Sequence, residues 1–160
     1  MDFYNGYSGK KRDKKYQEYK RLRDIGQSVP AIPQCQLCGD NDPQLKVEPH
    51  SEDYSLPYRW TPPYMYMVCR SCHGWIHKRF NKPDNWNDFK SHVGRGGYAR
   101  EFTTKEVGTE RKEAVAARAR GISYVWKKLK GGREVPMDRW WEKLSMSVDS
   151  LTSASARPRP

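Results

Sequence analysis

The sequence predicts an α+β fold: a small stapled core with a basic helix before it and a helical extension after it. Three observations carry this expectation. The cysteines occur as two C-x-x-C pairs, Cys35-Gln36-Leu37-Cys38 and Cys69-Arg70-Ser71-Cys72. Between them, Leu45 and Val47 alternate with polar residues toward His50, the pattern of a short half-buried strand. Runs free of helix breakers flank this region at 10–24 and 109–120.

Composition sets the outer limits. A chain of 160 residues accommodates one modest domain with extensions. Hydrophobic residues make up 36%, little enough that parts of the chain are expected to lie outside any core. Lys and Arg outnumber Asp and Glu by 30 to 19, for a net charge of +11. That surplus suits a phosphate backbone, which rewards basic side chains through counterion release, so DNA is the expected partner. No apolar run has the length of a membrane span or a secretory leader, so the chain reads as cytoplasmic with no membrane partner. In a reducing compartment, paired C-x-x-C motifs favour metal over disulfide.

Four segments follow: a basic arm and linker (1–34), a metal-rich core (35–82), a helical DNA-contact region (83–144) and a disordered Ser/Ala/Pro-rich tail (145–160). In the arm, KKRDKKYQEYKRLRD (10–24) reads as a helix with Tyr16, Tyr19 and Leu22 as a thin apolar stripe. It is either a solvated helix or an arm laid along DNA through Lys10, Lys11, Arg12, Lys14 and Lys15. GQSVPAIPQ (26–34) is a linker stiffened by Pro30 and Pro33. Past the core, Trp86 and Phe89 precede the turn GRGGY (94–98). Arg95, Tyr98 and Arg100 around that turn either contact nucleic acid or pack the loop. A helix over 109–120, capped at Thr109, stops at Gly121. A second basic helix, SYVWKKLK (123–130), follows and ends at Gly131-Gly132. MDRWWEKL (137–144) adds a short helix contributing Trp140, Trp141 and Leu144.

Each C-x-x-C can form a knuckle whose thiolates point at one ion. Two such knuckles from distant segments complete a tetrahedral site, so Cys35, Cys38, Cys69 and Cys72 are expected to hold a structural Zn2+. That ion would supply folding energy a small core lacks. The histidines are then spare. His73 and His77 are four apart and share one face of a helix starting near Cys72 and running through Trp75, Ile76 and Phe80. They are either surface residues or ligands of a second divalent metal, with His50 opposite at the strand end and Glu48, Glu52 and Asp53 nearby.

These residues resemble the HNH nucleases, also called His-Me finger or ββα-metal proteins. The resemblance spans about 35–80: C-x-x-C, a strand ending in His, then C-x-x-C-H with another His four on. In particular it resembles small phage and plasmid HNH-like proteins, through His50-Ser51-Glu52-Asp53-Tyr54-Ser55-Leu56-Pro57. It implies a ββα-metal core in which His50 is the general base, His73 and His77 are helix ligands of Mg2+ or another divalent metal, and the four cysteines hold zinc. It implies metal-dependent cleavage of DNA phosphodiesters and a phage or mobile-element protein acting in a bacterial host cell.

The sequence departs from the family pattern at two places. Pro49 occupies the position before the base, where the family carries a metal ligand. Glu48 and Asp53 are the candidate substitutes, although regular strand alternation points Glu48 away. Tyr64 falls near the position of the family's bracing Asn, within a long aromatic stretch, SLPYRWTPPYMYMV (55–68), that either packs differently or presents Trp60, Tyr64 and Tyr66 to a partner. The run Ala116-Ala117-Arg118-Ala119-Arg120-Gly121-Ile122-Ser123, within 109–131, more weakly resembles a helix-turn-helix. There Tyr124, Lys127, Lys128 and Lys130 would face DNA; otherwise the segment is a helical hairpin covering the core. Two functions remain open: a DNA endonuclease, or a catalytically inactive zinc module that binds DNA or a host protein and regulates it.

Overall fold

The computed structural model describes residues 3–27, 32–129, 133–135 and 138–146. Pro30, Lys130, the Gly131-Gly132 stop and the tail from 147 onward lie outside them. The described residues form an α+β fold with four α-helices and one two-stranded antiparallel sheet. None of these helices is long and apolar enough to cross a membrane.

The first helix, α1, spans Gly9–Asp24. The Ser8 hydroxyl caps it, accepting from the Lys11 N–H at 3.4 Å, and Arg21 and Arg23 complement the dipole at its other end. It does not project as a free arm. Arg12, Lys15 and Tyr19 are buried against the core, and Lys15 Nζ donates to the Asp53 carbonyl at 2.8 Å.

Strand β1 (Val47–His50) pairs with β2 (Tyr66–Cys69), Val47 opposite Cys69 and His50 opposite Tyr66. Helix α2 (Arg70–Lys78) begins directly off β2. Cys69 is both the last strand residue and the helix cap, its Sγ accepting from the Cys72 N–H at 3.5 Å. The expected strand and helix are therefore present with shifted bounds: the strand begins at Val47, beyond Leu45, and α2 starts two residues before Cys72 and ends at Lys78, short of Phe80.

Helix α3 (Pro83–Gly94) was not anticipated from the sequence. Pro83 sits at its first position, where a missing N–H costs nothing, and Asp84 lies in its first turn. Trp86, Phe89 and Val93 bury along one face, at the spacing a helix requires. The GRGGY turn ends it as expected. Gly96 has φ +92°, and a Cβ there would fall 2.6 Å from the Arg133 carbonyl oxygen. At Gly97 a Cβ would fall 2.3 Å from the His92 ring.

A 3-10 turn (Ala99–Thr103) leads into α4 (Lys105–Ala119). This helix starts four residues before the expected Thr109, which instead sits inside it with its hydroxyl bonded back to the Lys105 carbonyl at 2.9 Å. Gly121 stops it at φ +70°. The second helix of the expected helix-turn-helix is not formed over 123–129. Glu110 accepts the Lys127 N–H at 2.6 Å and Arg95 takes the Lys127 carbonyl at 2.6 Å, the two backbone groups a helix there would need for itself. Val125 is 86% exposed, so no apolar stripe rewards helix formation either. The 137–144 helix reduces to a 3-10 turn, Trp140–Lys143, with both tryptophans buried.

One core joins the cysteine segment to the helical extension. Trp75 of α2 stacks on Phe89 of α3 with centroids 5.5 Å apart and meets the Phe102 edge at 5.0 Å. Phe102 is fully buried and also touches His92 and the Arg111 guanidinium. Phe102→Ala should cost about 3–5 kcal/mol in chemical denaturation, the usual range for a buried Phe. Val115→Ala, at a half-exposed site on α4, should stay within about 0.5 kcal/mol.

Candidate metal centres

The Sγ atoms of Cys35, Cys38, Cys69 and Cys72 lie within 4.8 Å of one another, and all four residues are buried. The loop carrying the first pair is shaped by backbone bonds. Gly39 N–H returns to the Cys35 carbonyl at 2.9 Å, with Gly39 at φ +74°, and the Cys35 N–H bonds the Asp40 carbonyl at 2.9 Å. Gln36 ties the loop to β2: its N–H bonds the Met67 carbonyl at 2.8 Å, and its side-chain oxygen accepts the Met67 N–H at 2.6 Å. The Cys69 N–H then points at Cys35 Sγ at 3.2 Å.

The thiol chemistry of this group fits a thiophilic ion. The Cys38, Cys69 and Cys72 thiols, Cys38 foremost, hold the Cys35 thiol far below its ordinary range, while burial pushes Cys72 up. Four neutral thiols in one buried cluster satisfy each other poorly; four thiolates around a divalent cation satisfy it fully. The group could therefore bind a metal such as zinc.

The second centre lies one turn further along. His50, His73 and His77 each place a ring nitrogen within 4.8 Å of the others. The ββα arrangement explains this convergence: β1 ends at His50, and α2 carries the two other histidines on the turn facing it. The His50 ring centroid is 5.2 Å from His73 and 5.7 Å from His77. His73 and His77 bring their Nε2 atoms to 3.0 Å from each other. Burial lowers both imidazoles, His77 to about 3 with the neighbouring His50 and His73 adding to the effect, so both are neutral near pH 7 and able to ligate.

His50 is 1% exposed. Its Nε2 meets Glu52 Oε1 at 2.7 Å, and its Nδ1 is buried with no hydrogen-bond partner. Glu52 is itself held by the Tyr4 hydroxyl at 2.7 Å and by the fully buried Arg79 guanidinium at 2.8 Å. Arg79 also donates to the Tyr4 oxygen in a short hydrogen bond and to the Ser145 carbonyl at 2.8 Å. Burial alone would raise the Glu52 carboxyl, but His50, Arg79 and Tyr4 outweigh it and hold the group down at about 2. An ionised carboxylate only accepts, so a neutral His50 ring carries its proton on Nε2 and its lone pair on Nδ1. An orphaned lone pair beside two neutral imidazoles fits a cation or a water that a cation holds.

Of Glu48 and Asp53, the two carboxylates expected as substitute ligands, neither joins this cluster. Glu48 does turn toward the site, contrary to the expected alternation, but its carboxylate lies 3.5 Å from His73 Nδ1, the ring nitrogen that does not face His77. There it would orient the His73 ring, outside the histidine cluster. Asp53 accepts from the Tyr7 hydroxyl at 3.0 Å and from Ser55 N–H and Oγ at 2.9 and 2.6 Å, bracing its own loop. Glu52, singled out in the sequence only as a nearby carboxylate, is the one that engages His50. Its i+2 spacing from a strand-end histidine is the signal for this; Arg79 and Tyr4 carried none.

The basic candidates divide. Lys10, Lys11 and Lys14 are exposed on α1, and Lys128 is exposed on the irregular segment after α4. Arg12 and Lys15 are buried under them. Arg95 pairs with Glu110 at 2.8 Å, Arg100 with Asp40 and Asp42 at 3.1 and 3.0 Å, and Lys127 with Glu113 at 2.9 Å, so these three serve internal ion pairs. Comparison with protein-family models, curated proteins and solved structures returned no match for this chain.

Cys69 closes β2, caps α2 and contributes to the sulfur cluster. Cys69→Ser should remove about one equivalent of zinc by elemental analysis and abolish the cooperative melt of the whole core. A variant keeping both would show that Cys69 is not needed to hold an ion or the core.

Proposed function

We propose that this protein is a metal-dependent DNA endonuclease of HNH type, with His50 as its general base. The observation that carries the reading is His50 itself: buried at a strand end, fixed through Nε2 by Glu52, and left with an unpartnered Nδ1 among the rings of His73 and His77. The sequence resemblance assigns the same three residues. Zinc in the cysteine cluster would be structural.

The chain's own groups supply most of the chemistry. His50 Nδ1 takes the proton of the attacking water, and Glu52 stabilises the imidazolium that results. Arg79 and Tyr4 keep Glu52 ionised and aimed. His73 and His77 are the residues that would hold a divalent metal, with Glu48 steadying the His73 ring. When bound, that ion would offset negative charge on the phosphate and on the departing 3′ oxygen. Lys10, Lys11 and Lys14 on the open side of α1 would track the DNA backbone.

A second reading has its own support. The three histidine nitrogens lie close enough for one ion to take all of them, which would leave no free base, and Pro49 supplies no ligand in their place. The protein would then be a zinc module that binds DNA or a host protein as a regulator.

The test is nicking of supercoiled plasmid with Mg2+, Mn2+ or Ni2+. Wild type should nick, and His50→Ala should be slower by about 100-fold or more while keeping its zinc and a cooperative melt. Equal rates would remove His50 as the base. Absence of nicking with two tightly held metal equivalents would favour the regulator. Glu52→Gln keeps the shape of the side chain but loses the negative charge, and should lower the nicking rate about 10- to 100-fold, with its pH profile shifted because the His50 base is no longer charge-stabilised.

A further inference from the structure

We propose that the cleft between α1 and β1 receives one unpaired nucleotide of the substrate, so that the preferred DNA is single-stranded or locally unpaired. The inference rests on the nuclease reading above and names the substrate class of that site.

The cleft measures about 170 Å³, well below the roughly 300 Å³ at which ordinary small-molecule sites begin, and enough for one planar heterocycle. One end is formed by Glu48 and His73, so it opens beside the histidine cluster. Its walls are aromatic: Tyr19, Tyr54 and Trp60, with the Tyr19 and Trp60 centroids 6.3 Å apart. Tyr16 adds a 43% exposed ring at the rim.

Two cations are built into the same walls. Lys15 Nζ lies 5.6 Å from the Tyr54 centroid and 5.5 Å from that of Trp60. Its hydrogen bond goes to a carbonyl, that of Asp53, and burial pulls its ammonium down to about 8 although the Asp53 charge opposes this. The Arg12 guanidinium lies over the Tyr4 and Tyr54 rings at 4.7 and 5.7 Å. Packing alone does not call for a buried ammonium between two aromatic rings; a phosphate or an electron-rich base face does.

Stacking faces with cations behind them suit a nucleobase joined to its phosphate, without regard to sequence. A base inside a duplex is stacked on both faces and cannot enter a recess of this kind. Only a single-stranded or extruded base can. The distance from cleft to cluster is that of neighbouring side chains, so the phosphate of the captured nucleotide would lie at the His73 end.

The experiment uses the full zinc-loaded chain carrying His50→Ala, which binds without cutting, and reads fluorescence anisotropy with a labelled 12-nucleotide single strand, the matching duplex, and a single strand of abasic sites. The single strand should bind most tightly, and Trp60→Ala should weaken it about 5- to 100-fold while leaving the duplex and the abasic strand unchanged. Trp60→Phe should restore binding. Lys15→Gln, with native zinc content and melt, should weaken both single strands. Equal binding of the single strand by Trp60→Ala and its parent, or loss of duplex and single-strand binding in parallel, would overturn the proposal. Because the readout needs no cleavage, a failure here leaves plasmid nicking by the wild type untouched, and absent nicking with intact Trp60-dependent binding would fail the nuclease reading alone.

Discussion

The four-cysteine cluster is the constraint on which the rest of the structure depends. It ties a loop at Cys35–Cys38 to the junction of β2 and α2, more than thirty residues away in sequence. With only two strands, the sheet has little reason to exist alone. The cluster holds its open end, and Gln36 adds two backbone-directed bonds to Met67 beside it. Because Cys69 is at once the strand end and the helix cap, the direction of α2 follows from the direction of β2. His73 and His77 then have a defined place relative to His50, which the register puts opposite Tyr66.

A second layer fixes how His50 behaves. Glu52, Arg79 and Tyr4 come from three separate parts of the chain and meet behind the imidazole. Removing any one would leave a buried polar partner unsatisfied, which costs more than the bond itself contributes. The N-terminal segment around Tyr4 therefore belongs to the site, and α1, which follows it, is anchored by the same contacts. This explains why Arg12 and Lys15 are buried while Lys10, Lys11 and Lys14 on the same helix remain outside.

The extension after the core shows charge used for structure. Glu110 draws Arg95 inward, and Asp40 and Asp42 engage the exposed Arg100, on a surface that composition alone would assign to DNA. Glu110 and Arg95 also hold the backbone at Lys127, in a segment after α4 that is neither helix nor strand. The net charge of +11 thus overstates the free positive face. Of the basic candidates on α1, Lys10, Lys11 and Lys14 remain exposed, while Arg12 and Lys15 line the cleft with Tyr16 and Tyr19.

The sequence by itself determined the local features with strong, short-range causes: the C-x-x-C knuckles, the strand ending in His50, the helix carrying His73 and His77, the α1 run and the glycine stops. Helix α3 was not read from the sequence, although Pro83 and the Trp86, Phe89, Val93 spacing are its signals. Tertiary structure alone decided which groups face the histidines. Glu48 bends toward His73 and Asp53 turns into its own loop, although both are carboxylates within a few residues of His50. Tertiary structure also decided that 123–129 is not a helix, since Glu110 and Arg95 capture the backbone groups that local propensity would have paired. Propensity acts between near neighbours and is worth tenths of a kcal/mol per residue. A buried carboxylate or guanidinium needs a partner wherever in the chain that partner lies, at a cost of about 1–3 kcal/mol or more when it is missing. The larger, longer-range requirement settled the site.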